Sequence, residues 1–410
     1  MGRHLALLGG TTTAKEILIG LRFLLYPKSI IEGSNIAAYE QQFARTTHCK
    51  YAHSFSSGRV GLYGLLKCLG VAKDDEVLIQ VPTHIVVANA IRYLGAKPVY
   101  VDCQLDDYNL NLEDARHKIT SKTKVMILQH TFGHPVDMDA AVNLANTHNI
   151  IIIEDCVHAL GSRYKGRLVG SFGRAAFFST EETKIISSTM GGMVVTNDSD
   201  LSKMLTQFRL NCRKPGFMLT YGYVLKLLFY HWTMHPKIHG FFRKMYELLG
   251  KRNPLPIPVS AAELLGEMPK NYLQLFSNAQ AALAASQLER LDQIIAHRQK
   301  ISEIYNRIFT SRRIKISTVN KEATSAYVRY PVWVKDRQKA ISAMRHKTVL
   351  GTWFSSVLEE AVHPKYGDYH DGSCPKAELA ARHLVNLPTH LRVTEQDAEI
   401  LAHLLAESAG

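Results

Sequence analysis

Two acids and a lysine carry the first chemical signal in this chain. Glu154-Asp155 close the β-branched run Asn149-Ile150-Ile151-Ile152-Ile153, and Lys184 follows Asp155 by twenty-nine residues. A continuous apolar run without polar alternation predicts a parallel strand buried on both faces, and open α/β sheets bind ligands at the carboxyl ends of such strands. The acids are therefore expected where that strand ends. Lys184 ends Phe177-Phe178-Ser179-Thr180-Glu181-Glu182-Thr183-Lys184, ahead of Gly191-Gly192 and a second strand, Met193-Val194-Val195-Thr196. Paired glycines let the backbone turn tightly around a ligand. An acid and a lysine placed like this suit pyridoxal phosphate (PLP), which a lysine holds as a Schiff base. A carboxylate keeps its pyridine nitrogen protonated, so that the ring can act as an electron sink. Each residue alone has an ordinary alternative: Asp155 as the cap of a following helix, Lys184 as a solvated surface lysine.

Upstream, Tyr51-Ala52-His53-Ser54-Phe55-Ser56-Ser57-Gly58-Arg59 opens an amphipathic helix over 60–69. Small residues at a helix start present unpaired N–H groups and the positive end of the helix dipole, a cradle for a phosphate. A plain serine cap is the alternative.

The run Ile153-Glu154-Asp155-Cys156-Val157-His158-Ala159-Leu160-Gly161-Ser162, then Gly170-Ser171-Phe172-Gly173, then Phe178-Ser179 through Lys184 to Gly191-Gly192 resembles the DegT/StrS family of sugar aminotransferases. The resemblance is close over about residues 30–210 and looser over 271–410. It implies an α/β protein of the type I, aspartate-aminotransferase-like fold: a large domain with a mostly parallel seven-stranded sheet and a smaller C-terminal α+β domain, working as a homodimer. It implies PLP as cofactor, with Lys184 as its anchor and Asp155 at the ring nitrogen. Ser57, Gly58 and Ser179 would hold the phosphate. His84 would stack on the ring where the family places an aromatic residue, and His158 stands where the family often has a glutamine near the phenolic oxygen.

Two positions depart from the family pattern. Arg59 replaces the threonine of Ser-Gly-Thr, either giving the phosphate a charge-assisted bond or pointing away. The family's cross-subunit Asn-x-Arg would fall on Leu273 and Leu275, with Asn271 or Gln274 as candidate substitutes. Lys184 bears on the reaction itself, because relatives that dehydrate sugars have a histidine there. Amino transfer is expected, from glutamate or glutamine to a keto sugar, nucleotide-activated by family resemblance. The alternatives are a PLP-dependent sugar dehydratase or lyase, and a non-catalytic membrane-associated regulatory scaffold.

The elements that must position these residues read as alternating strands and helices: strands at 77–81, 98–102 and 125–130, helices at 88–94 and 111–119. Such alternation predicts a parallel sheet covered by helices. A single helix over 279–309 is expected to join the domains, and strands at 327–334 and around Asn386-Leu387 to belong to the smaller one. The expected divisions are 1–50 (arm and first helix), 51–212 (PLP-binding domain), 213–270 (insertion) and 271–410 (linking helix and small domain). Asn253-Pro254-Leu255-Pro256-Ile257-Pro258 reads as an extended linker end.

Composition fits: 410 residues, 46% hydrophobic and 21% charged, suffice for two domains with a large core. Cys49, Cys68, Cys103, Cys156, Cys212 and Cys374 form no CxxC pair, as expected of reduced thiols. With no convincing signal peptide and no apolar run near the ~20 residues of a spanning helix, a cytoplasmic protein is expected. His130 and His134 lack further ligands at sensible spacing, so no metal is expected. The net charge is +13, and residues 209–252 hold nine Lys or Arg against one acid. Within them, 217–249 is aromatic, apolar and basic together. One reading is a helical hairpin packed on the subunit, its basic face solvated or collecting an anionic substrate; the other is peripheral contact with the inner membrane surface. Without a reader motif, nucleic acid is not an expected partner.

Overall fold

The computed structural model describes residues 3–8, 10–248 and 259–409. The linker expected at residues 253–258 lies outside them.

Seven strands form the main sheet: β1 (Tyr51–Phe55), β2 (Glu76–Gln80), β3 (Lys97–Val101), β4 (Thr123–Gln129), β5 (Ile151–Asp155), β6 (Ala175–Ser179) and β7 (Gly192–Thr196). Their spatial order is β1-β7-β6-β5-β4-β2-β3. The β6, β5, β4, β2 and β3 strands run parallel, as the alternation predicts, while β7 and β1 close one edge antiparallel. Burial on both faces explains the continuous apolar runs. Ile127, Ile153, Phe177 and Val194 enter one core, and Leu128, Ile152, Phe178 and Val195 enter the core on the opposite face.

The strand at 149–153 needs a correction. It runs Ile151–Asp155, two residues later than the apolar run, so that Glu154 and Asp155 are its last two residues, at the end where the sequence places them. Pairing on both sides holds them in the ladder: Glu154 lies between Leu128 and Ala176, and Asp155 between Gln129 and Phe177.

The helices that matter for the site are α1 (Ala14–Leu25), α2 (Gly58–Cys68), α3 (Ile85–Arg92), α4 (Phe217–Thr233), α5 (Pro236–Leu248), α6 (Asn278–Leu288) and α7 (Leu291–Ser311). The single helix expected over 279–309 is two. The chain breaks at Glu289-Arg290, where the Arg290 guanidinium is drawn to Glu16 at 2.9 Å and to the Thr11 carbonyl at 3.3 Å. Apolar spacing is continuous across this break and does not reveal it.

Beyond it, α7 packs with β8 (Tyr330–Trp333) and β9 (Leu384–Leu387), an antiparallel pair, around a separate core of Ile301, Tyr305, Phe309, Tyr330, Val385 and Leu401. The insertion forms α4 and α5, divided as Pro236 predicts. Val224 and Leu227 of α4 bury against Phe23 of α1 and Ala279 and Leu283 of α6. Gly20 allows this close approach, since a Cβ there would stand 3.0 Å from Leu228.

Candidate active site

One cavity of about 270 Å³ opens at the carboxyl ends of β5 and β6. That is near the lower end of the ~300–1,000 Å³ that small-molecule pockets span. It brings together Ser57, Gly58, Arg59, His84, Asp155, His158, Ser179 and Lys184, all eight residues singled out in the sequence.

Asp155 reaches it from the end of β5, 1% exposed. Burial pushes its carboxyl up to about 7, against opposing pulls from the Val157 N–H, which it accepts at 3.1 Å, and from Lys184. Lys184 follows a tight turn after β6, its N–H donating to the Glu181 carbonyl at 3.0 Å. Burial lowers its amine to about 8, Glu181 and Asp155 holding it up and Arg329 pressing it down. The neighbouring Glu154 faces away from this chemistry. Its carboxylate accepts from the N–H groups of Gly170, Phe172 and Gly173, each at 2.7 Å, and so ties down the loop before β6.

Ser57 caps α2 in extended conformation, its hydroxyl accepting from Val60 N–H at 3.4 Å. Gly192 of β7 makes the approach to this helix start possible: a Cβ there would run into the Ser57 carbonyl and the Gly58 nitrogen. Ser179 ends β6, and its hydroxyl accepts from Glu181 N–H at 3.2 Å. Arg59 does not stand free beside this cradle, because its Nη1 meets Glu263 at 2.7 Å in a largely buried ion pair. His84 caps α3, with Nε2 3.1 Å from Glu360 and Nδ1 accepting from Val86 N–H. His158 stacks on Trp353 at 4.6 Å and 19°, and its buried Nδ1 has no hydrogen-bond partner.

The residues fit a PLP-sized, doubly anionic aromatic cofactor: a helix N-terminus with two serines for a phosphate, an enclosed amine of lowered proton affinity, and a buried acid deeper in the sheet. The two histidines considered as a metal pair have separate tasks. His134 hydrogen-bonds Ser325 at 2.8 Å and Ser317 at 3.0 Å. His130, Glu154 and Cys156 do bring one ligand atom each within 4.8 Å of one another. Glu154 is already committed to three N–H groups, and His130 Nδ1 accepts from Val136 N–H at 3.1 Å.

The DegT/DnrJ/EryC1/StrS aminotransferase family model matches residues 12–235 and 269–405. This chain belongs to the DegT/DnrJ/EryC1/StrS family. It is 32% identical to the GDP-perosamine synthase of Escherichia coli O157:H7 over 299 residues, 73% of this chain and 68% of that protein. It is 27% identical to the GDP-perosamine synthase of Caulobacter vibrioides over 379 residues, 90% of this chain and 88% of that protein. The fold matches E. coli GDP-4-keto-6-deoxy-D-mannose-3-dehydratase with bound hydrated PLP at a TM-score of 0.77 and 18% identity, covering 99% of this chain and all of that one.

Within this DegT/StrS frame, the 273–275 segment lies beside the cradle of its own subunit: the Gln274 carbonyl accepts from Ser56 N–H at 3.2 Å. Leu273 and Leu275 pack on the core, and Asn271 accepts from Arg213 at 2.9 Å. Several cavity residues escape sequence reasoning. Glu181 and Glu182 stand in the run that leads to Lys184, where their spacing alone marks no role. Arg329, Trp353, Phe354 and Glu360 arrive from the C-terminal third, where no local spacing marks them. The only sequence signal near them is the strand expected at 327–334, which contains Arg329.

Proposed function

We propose that the chain is a PLP-dependent aminotransferase that moves an amino group from glutamate or glutamine to a keto sugar carried on a nucleotide. The observation that carries this reading is Lys184: an enclosed amine of lowered proton affinity, electrostatically coupled to buried Asp155, in the cavity floored by the α2 N-terminus. Bound PLP supplies an electron sink that stabilises negative charge on the carbon losing its proton.

Lys184 would be the residue that holds the cofactor covalently, and its amine would serve as the base and acid that moves the proton at the donor's α-carbon. Asp155 keeps the ring nitrogen protonated. Ser57, Gly58 and Ser179 take the phosphate, with the positive end of α2 behind them. Arg59 stands beside that site with its charge answered by Glu263, and His84 and His158 flank the ring. Lysine at 184, rather than histidine, favours amino transfer over dehydration.

The working unit is proposed to be a homodimer, as the family resemblance implies; analytical ultracentrifugation showing only monomer at working concentration would overturn that. The absorbance spectrum tests the main reading. Wild-type protein is expected to show the long-wavelength band of lysine-bound cofactor and to convert it to the aminated form on adding glutamate, and Lys184→Ala to lack that band. A wild type that takes up no PLP would sink the proposal.

A second surface calls for a role. On α1, Leu18, Leu21 and Leu25 are exposed opposite the buried Gly20 and Phe23. On α4, Met218, Leu225, Phe229 and Trp232 are exposed opposite Val224 and Leu227, and Phe241 follows on α5. Arg22, Lys237 and Lys244 are also exposed on these helices. Bulky apolar groups with basic neighbours suit the headgroup boundary of an anionic bilayer. We propose that the exposed apolar and basic sides of these helices make peripheral contact with such a membrane. Among the described residues, no helix is long and apolar enough to cross one.

A further inference from the structure

Part of the cavity wall comes from segments outside the shared family pattern. The family model spans residues 12–235 and 269–405, and the cavity is lined by Leu8, ahead of that region, and by Val259, in its gap. Helix α4 links both to Glu182, another lining residue, 7% exposed. Tyr230 of α4 packs with Leu8, and its ring centroid lies 5.2 Å from Lys226 Nζ, which stands 2.7 Å from Glu182 Oε2. Tyr223 of α4 lies within the fields of both Arg59 and Glu182. Arg59 pairs with Glu263, whose carboxylate accepts from the Ser260 N–H at 3.0 Å and hydroxyl at 2.9 Å, so that the chain beside Val259 is held. Segments beyond a shared fold are where one member's choice of substrate can be set.

Glu182 is the acid of this cavity with acceptor capacity to spare. Asp155 accepts from Val157 N–H at the end of β5, and Glu360 is held by His84. Glu181 accepts from the Thr183 N–H and hydroxyl in its own turn. The Lys226 ammonium answers the charge of Glu182 but lies off the hydrogen-bond direction, so that the buried Oε2 takes no directed bond from the described residues. Burial and Glu181 oppose its ionisation, and Lys226 and Tyr230 favour it. A buried carboxylate with unused lone pairs is costly, and a ligand bearing O–H groups relieves that cost.

The chemistry of the two substrates decides which of them fits. An amino-acid donor brings carboxylates, which Glu182 repels. A keto sugar brings neutral hydroxyls, and their bonds to a carboxylate are among the strong ones. Leu8 and Val259 add apolar surface for the C–H faces of a sugar ring. We propose that Glu182, braced by Lys226, selects the acceptor by accepting hydrogen bonds from hydroxyl groups of the keto sugar and by repelling sugars that carry a carboxylate. This rests on the aminotransferase reading above and names the residue that meets its acceptor. A site built to bond a substrate hydroxyl discriminates more sharply than an apolar pocket does.

Calorimetric titration of the full-length, PLP-loaded protein tests the proposal with two pairs of sugar nucleotides that have no keto group. The pairs are UDP-glucose with UDP-glucuronate, and GDP-mannose with GDP-mannuronate; within each, a hydroxymethyl group is exchanged for a carboxylate. Wild-type protein is expected to bind the neutral member of at least one pair about 10-fold tighter than the acidic one. Glu182→Gln is expected to bring the two affinities together by weakening the neutral sugar and admitting the acidic one. Glu182→Lys combined with Lys226→Glu keeps an ion pair with its ends exchanged and is expected to invert the preference. The inference is overturned if the wild type binds both members of each pair equally or binds none of the four, or if the exchanged pair keeps the wild-type preference. It is also overturned if Glu182→Gln slows the glutamate-driven change in absorbance as much as it weakens sugar binding, which would assign Glu182 to holding the Lys184 turn. Should the exchanged pair fail to fold, the wild-type and Glu182→Gln affinities decide. Protein that takes up PLP and responds to glutamate but shows no sugar preference defeats this inference only; protein that takes up no PLP defeats the function proposed above.

Discussion

Lys184 is a lysine whose proton is loosely held. With its amine near 8, roughly a tenth of the side chain is neutral at pH 7, against well under a thousandth for a free lysine. Only the neutral amine attacks a carbonyl, so the rate of PLP uptake should climb with pH through a midpoint near 8. Stopped-flow absorbance measures it, and a midpoint above 10 would show that the enclosure of Lys184 is not real. Asp155 helps the amine keep its proton, so Asp155→Asn should shift that midpoint to lower pH while weakening the equilibrium hold on PLP. At this scale the sequence was informative where chemistry is local: Asp155, Ser179 and Lys184 fall within one continuous stretch. Arg329 and Trp353 were invisible for the opposite reason. Each is ordinary in its own neighbourhood and acquires meaning only when the C-terminal core docks it against residues some 150 positions earlier.

Among the elements, β7 and α4 do the supporting. Gly192 lets β7 pass under the start of α2, and Gly192→Val should cost about 1–3 kcal/mol of stability through overpacking, with PLP affinity falling as the cradle is forced open. Thermal unfolding and absorbance titration read the two effects; an unchanged melting temperature would mean the helix start yields freely.

Helix α4 reaches the Lys184 loop directly. Lys226 meets Glu182 at 2.7 Å, and the Tyr223 carbonyl accepts from Thr189 at 3.0 Å. Burial, then Glu181, push the Glu182 carboxyl up to about 7, and Lys226 opposes them. A carboxylate whose folded pKa is raised above 4.5 destabilises the fold increasingly as pH rises from there through 7, because its charged form is then demanded. Removing Lys226 raises that pKa further. Lys226→Ala should therefore cost about 1–3 kcal/mol at pH 8 and clearly less at pH 5, by urea melts at both values. Equal losses at the two pH values would reassign Lys226 to packing alone. The insertion's helices were legible from Pro236 and their apolar content, but this brace was not, since nothing in Lys226 marks it apart from its basic neighbours. The break between α6 and α7 was hidden likewise, being fixed by a contact to the N-terminal arm.

For the whole molecule, the alternating strands and helices made the parallel sheet legible, whereas the antiparallel edge of β7 and β1 depends on a long return that no local pattern announces. The outer face of α1, α4 and α5 is the feature with consequences beyond catalysis. Wild-type protein is expected to sediment with phosphatidylglycerol-containing vesicles at low salt, to release as salt rises, and to bind neutral vesicles weakly. Trp232→Glu with Phe229→Glu should abolish sedimentation with little effect on activity in solution. If the double variant instead changes the oligomeric state and vesicles never bind, the face is a subunit contact.

Helix α4 is tied to the loop that carries Lys184, and its outer side is where membrane contact is proposed. A rod tied on one side and pressed by lipid on the other would be a lever, and levers transmit in both directions. If lipid contact alters how readily the loop accepts PLP, linkage requires PLP to alter the dwell time or capture of the protein on lipid by a matching free energy. Filling the cavity would then change where the molecule resides. Vesicle partitioning measured with and without saturating cofactor would detect that coupling, and identical partitioning would show the two ends of α4 to be mechanically deaf to each other.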